Sequence, residues 1–247
     1  MCLIQSVLFK GICSLLIALL PRMVFCQSKS DSSLITYNNA KDAYFRALGT
    51  ELNLYNGVYY KGYRQHENDE GQPYFESDLW YEGSVFYDGI FYENIPMLYD
   101  LIEDELVIDH RYGAVKLKLI KEKVNFFIIN GHRFVHLTPA VSNSSLTSGF
   151  YELLYEGKYK AYARWQKKRN EVTTTNEIQV RYEQKVQFYI FNGNEYLPVR
   201  AKSSVLRILK DKKPALQKFI RKQNLNFGAQ CIESIPKILS FYESGSL

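Results

Sequence analysis

SVFYDGIFYENIPMLYDLIEDELVIDH, residues 84–110, is the stretch from which the fold reads most directly. Asp88-Gly89 is a strong two-residue hairpin signal, because both central positions need positive φ and these residues accept it at low cost. Aromatic half-strands flank the turn. An apolar run marked by Pro96 follows (Ile95, Met97, Leu98, Tyr99), then the acidic turn Glu103-Asp104-Glu105, then Leu106, Val107 and Ile108. The pattern predicts two or three antiparallel strands at the middle of a sheet.

The same turn signature recurs outward in both directions: Asn56-Gly57, Asn130-Gly131, Glu156-Gly157 and Asn192-Gly193. Three Asn-Gly, one Asp-Gly and one Glu-Gly predict up to five hairpins. Their uneven spacing makes the chain a meander, not a fixed-period repeat. Between turns, Val115, Leu117 and Leu119 alternate with Lys116, Lys118 and Ile120, with Lys121 next, as a strand with one buried and one wet face does. Residues 138–148 (TPAVSNSSLTS) are the best boundary. They divide an antiparallel β part at 52–137 from a second one at 149–200. Residues 167–176 read as a long polar hairpin tip. A helical tail occupies 201–247, with Ser203 and Asp211 as expected N-caps and Pro236 interrupting or bending the last helix.

Composition agrees. Twenty Tyr and fifteen Phe favour strands, and tyrosine tolerates a half-wet face. The fold class is therefore mainly β: an antiparallel meander or curved sheet, a half-barrel in the limit, with a short C-terminal helical tail. By analogy alone, periplasmic lipoprotein carriers have such a shape.

The first 26 residues read as a secretory signal peptide. Lys10 precedes an apolar core, and Val24 and Cys26 occupy the −3 and −1 positions of a cleavage before Gln27. An uncleaved anchor is disfavoured because the core is shorter than the roughly 20 apolar residues of a membrane span. Lipidation of Cys26 is disfavoured by the bulky Phe25. Residues 27–51 form a polar leader in which Ala40, Ala43, Tyr44 and Ala47 stand at the spacing of a short helix. Cleavage leaves Cys231 alone, so no internal disulfide is expected. It also takes the formal charge from +5 to +3, too mild to imply nucleic acid as a partner.

From Gly83 to Leu137 the chain carries G-x-V-x-Y-D-G-x-x-Y-E-N-I-P-x-L-Y-D-L, then D-E-L-V-I, then N-G-H-R-F-V-x-L. Later come G-F-Y-E-L-L-Y-E-G-K (149–158), Y-L-P-V-R (196–200) and D-K-K-P (211–214). In these phrases it resembles a group of uncharacterised exported proteins of Bacteroidota-type bacteria. The resemblance implies export and the two-part layout, and brings no activity or site residues with it.

Candidate chemistry is sparse. His132 and His136 lie four apart on a predicted strand, roughly 13 Å, too far to share an ion. Glu105, Asp109 and His110 are the only set from which a hydrolase reading can be built, and no motif marks a nucleophile. The acidic run 67–70 lacks the alternating ligands of a calcium loop. No metal and no cofactor is expected. The basic residues of the tail read as a solvated helix face with peripheral membrane contact as the alternative. The aromatic residues remain: Trp80, Tyr81, Tyr87, Phe91, Tyr92 and Tyr99 are the candidate binding residues, on a sheet face open to an envelope protein, a lipid or a glycan. The expectation is a non-catalytic exported envelope protein, periplasmic or at the outer-membrane periphery. A hydrolase or a structural, adhesive component is the alternative.

Overall fold

A computed structural model describes residues 51–64, 68–109, 115–138, 146–173, 178–227 and 231–245. The signal peptide, the leader helix, His66, Glu67, His110 and residues 139–145 lie outside them. The described residues open with a short helix α1 (Glu51–Leu54). Eleven strands follow: β1 (Val58–Tyr59), β2 (Tyr81–Tyr87), β3 (Ile90–Asp100), β4 (Glu105–Asp109), β5 (Lys116–Lys118), β6 (Val124–Ile129), β7 (His132–Leu137), β8 (Gly149–Glu156), β9 (Lys160–Thr173), β10 (Ile178–Phe191) and β11 (Tyr196–Val199). The tail holds α2 (Lys202–Ile208), α3 (Lys213–Lys222) and α4 (Cys231–Ser244).

The strands make one antiparallel sheet, in the order β1-β5-β4-β3-β2-β6-β7-β8-β9-β10-β11. Strand β2 pairs with β3 on one side and β6 on the other, and two meanders leave it in opposite directions. Asp88 and Gly89 sit at φ 50° and 81°, and Asn130 and Gly131 at 47° and 80°. Both pairs thus adopt the left-handed geometry that matches strand twist. Asn192-Gly193 and Glu156-Gly157 also join neighbouring strands. Asn56-Gly57 does not: it links α1 to β1, where a Cβ on Gly57 would stand 2.5 Å from the Lys118 carbonyl oxygen. The residues at 138–148 connect β7 to its neighbour β8 within the same sheet. The expected polar tip at 167–176 is mostly strand, since β9 runs to Thr173. One face of this hairpin is wet and polar, while the other buries Val180 and Tyr182 beside Glu70.

The sheet curls. Strand β9 stands five places from β3 in strand order, yet the Lys167 N–H donates to the Leu101 carbonyl at 2.9 Å. Residues 70–75 clasp the gap. The Glu70 N–H donates to Val180 of β10, and the Phe75 N–H donates to Tyr99 of β3, both at 2.8 Å. The Lys167 ammonium crosses under this clasp, donating to the carbonyls of Gln72 (2.8 Å) and Tyr74 (2.7 Å).

Aromatic rings fill the concave face. The Tyr99 ring centroid lies 5.2 Å from Phe127, 4.9 Å from Phe134 and 5.9 Å from Phe150, within the range of favourable edge contacts. That interior is a packed core, unlike the open concave face of a lipid carrier. At the other end of the sheet the helices lay Val205, Leu209, Leu216, Ile235 and Leu239 against Ala161, Ile190 and Val199. The helix N-caps are Ala201 and Lys212, with no side-chain cap from Ser203 or Asp211. Asp211 instead accepts from the Tyr242 hydroxyl at 2.8 Å. Pro236 lies inside α4.

Candidate functional site

Strand alternation sorts the six candidate aromatics. Across Asp88-Gly89 the register is Tyr87 opposite Ile90, Phe86 opposite Phe91 and Val85 opposite Tyr92. Tyr87 and Tyr92 therefore share the concave face with Val85 and are buried, as is Tyr99 in the ring cluster. These three are core residues and offer no binding surface, because the face they occupy is the one the curl closes on itself. Trp80 is half-buried over the Tyr60–Tyr74 cluster, with the Lys116 ammonium 5.5 Å from its ring. Tyr81 is half-buried against the core, its hydroxyl 2.8 Å from Ser77 Oγ. Phe91 alone of the six is exposed, at 47 %.

Phe91 does not stand alone on the outer face. Phe86 is opposite both Phe91 and Phe126, so three strands present a row of three phenylalanines. The Phe86 and Phe126 rings stack at 5.7 Å and 8°, and Phe91 lies 6.1 Å from Phe126. The Arg133 guanidinium sits 4.7 Å from the Phe126 ring centre, within cation–π range. Val135, opposite Phe126, extends the row onto β7. The result is a platform of rings, with Phe91 tilted 33° from Phe126 and a cation over the Phe126 ring. Phe86, Phe126 and Arg133 escaped the sequence reading. The Phe86–Phe91 pair follows from counting outward from Asp88-Gly89, whereas Phe126 joins only through the β2–β6 pairing.

Three polar clusters lie elsewhere. Glu152, 5 % exposed, has Oε1 2.6 Å from His132 Nδ1 and accepts from the Trp165 indole N–H at 2.6 Å. The other ring nitrogen of His132 is 3.4 Å from Glu76, whose carboxylate also accepts from Asn130. Asp104 accepts from the Tyr99 hydroxyl (2.7 Å) and Lys121 (3.1 Å), with Arg164 3.8 Å away. Arg164 in turn donates to the Tyr151 hydroxyl and to Thr147. Asp100, fully buried, accepts from the hydroxyls of Tyr60 and Tyr63, both at 2.8 Å, and from the N–H groups of Ile102 and Glu103. Burial, reinforced by this carboxylate, holds the Tyr60 and Tyr63 phenols above their ordinary range. In each cluster the acceptors are engaged by neighbours that hold strands, turns and clasp together, which is the work of a structural network.

Glu105 and Asp109 of the hydrolase set lie at opposite ends of β4, each facing a lysine of β5. Glu105 is bonded to Lys118 at 2.6 Å, and Asp109 stands opposite Lys116 in the β4–β5 ladder. His110 is outside the described residues. His136 is pushed below the ordinary histidine range by burial, beside Phe150 at 5.3 Å. Among the described residues no group of three His, Cys, Asp or Glu is placed to hold a metal, and no helix is long and apolar enough to cross a membrane.

No protein-family model matches this chain, and no curated protein or solved structure does either.

Proposed function

We propose that this protein is a non-catalytic, exported cell-envelope protein that binds a partner protein through the outer platform of Phe86, Phe91, Phe126 and Arg133. The observation that carries the reading is the row of rings: two stacked phenylalanines and a third beside them, partly open to solvent, capped by a guanidinium. Aromatic residues and arginine are the types that dominate interface energetics. Strands hold these rings in place before binding, so little side-chain freedom is lost on contact. The clustered carboxylates support a binding role, since their acceptors serve internal hydrogen bonds. The signal-like N-terminus and the likeness to exported Bacteroidota-type proteins support the compartment.

The test is affinity purification from native envelopes, comparing the wild type with Phe86→Ala/Phe126→Ala. Both rings are half-exposed, so the fold is expected to survive while the captured partner is lost. An unchanged set of captured proteins would overturn the proposal. Capture of glycan alone would replace it.

A further inference from the structure

Charge on this chain is strongly segregated. Residues 200–222 hold nine lysines and arginines against a single acid, Asp211, while the chain as a whole has 31 against 26. The other 224 residues are therefore net negative by three. The one acid in the basic segment is turned away, accepting from Tyr242 of α4. The side chains of Arg207, Lys210, Lys213, Lys218, Arg221 and Lys222 have no hydrogen-bond or ion-pair partner among the described residues.

The helices order these cations. Leu216 and Ile220 of α3 are buried, which turns the opposite arc of Lys218, Arg221 and Lys222 to solvent. On one flank, Arg207 and Lys210 meet Lys213 around a groove of about 410 Å³ between α2 and α3, with Ser203 and Gln217 beside them and Leu206 below. On the other flank, α3 and α4 form a second groove of about 510 Å³. There the half-buried rings of Phe219 and Phe241 stack in parallel at 4.2 Å, next to Pro236. A cation band bordered by a partly open aromatic groove is the composition of a surface that sits at a lipid interface, with phosphates against the lysines and apolar groups at the head-group boundary.

We propose that the α2–α3 groove and the outward arc of α3 form a docking surface for an anionic phospholipid membrane, with a lipid phosphate seated among Arg207, Lys210 and Lys213. The commitment to lipid rests on charge complementarity together with the adjoining aromatic groove, which an acidic peptide or a nucleic-acid backbone would leave unused. This surface is separate from the phenylalanine platform on the sheet.

Co-sedimentation of the full chain with vesicles tests it. One set contains phosphatidylglycerol and phosphatidylcholine, the other phosphatidylcholine alone. Binding is expected to the anionic vesicles only, and to fall as salt rises. R207E/K210E/K213E is expected to weaken it by about 100-fold or more, at roughly fivefold per cation near a charged surface. F241A is expected to weaken it several-fold at constant salt. If the reversal variant does not fold by circular dichroism, R207Q/K210Q/K213Q replaces it, with a smaller loss expected. Equal binding to both vesicle types, or an unchanged affinity in the folded triple variant, overturns the proposal. So does binding of poly-glutamate or duplex DNA without binding of anionic vesicles.

Discussion

Lys167 gives the sharpest test of how the curled sheet is held. Its ammonium lies under the clasp at 70–75 with two backbone carbonyls as partners, and burial pushes it from the usual 10.5 down to about 8. Below pH 8 both the folded and the unfolded chain carry the proton, so the cost of burying the charge is present in full. Between pH 8 and 10.5 the folded chain has released it and the unfolded chain has not, so stability must rise with pH across that window. For a fully dry site a drop from 10.5 to about 8 is worth about 3 kcal/mol. Lys167 is only half-buried, and solvent screening reduces the expected gain to roughly 1–1.5 kcal/mol. The neutral amine still has two N–H donors for the two carbonyls, so deprotonation leaves the clasp intact. Urea unfolding of the wild type and Lys167→Met, from pH 7 to 10, isolates the effect, because the tyrosines that titrate in alkali are common to both. The wild type should gain on the variant by that amount. Parallel curves would refute the account of a buried, clasp-bound ammonium.

Asp100→Ala removes an acceptor shared by two tyrosine hydroxyls and two backbone N–H groups in a fully buried site. Unsatisfied buried donors cost about 1–3 kcal/mol each, and after relaxation a net loss of about 3–5 kcal/mol is expected in denaturant titration. A loss below about 1 kcal/mol would mean that water replaces the carboxylate. The Cys231 thiol is buried and pushed up to about 11. A thiol reagent at pH 8 should therefore label it roughly 100-fold more slowly in the native protein than in concentrated urea, and equal rates would place it at the surface.

The division between sequence and tertiary structure is clearest at residues 84–110. Local chemistry sufficed for the strands and their turns. Asp88-Gly89 and Asn130-Gly131 need positive φ, and few residue pairs accept it. Alternation along the strands, together with a helical period in the tail, gave the class of fold. Alternation also says that Phe86 and Tyr87 face opposite ways, as do Phe91 and Tyr92. It does not say which way is in. That depends on the direction in which the sheet curls, and the curl is settled by contacts far apart in the chain: Lys167 with Leu101, Glu70 with Val180, and Arg164 beside Asp104. Tyr87, Tyr92 and Tyr99 became core for that reason, and Phe86, Phe91 and Phe126 became surface. The hairpin at Asn56-Gly57 failed for a related one, because β1 found its partner in β5, about sixty residues on. The amino-acid order by itself thus determined the elements, their antiparallel sense and the charge of the tail, since these follow from neighbours in the chain. Only the folded sheet decided which aromatic residues meet solvent, because that depends on pairings whose partners no local pattern names.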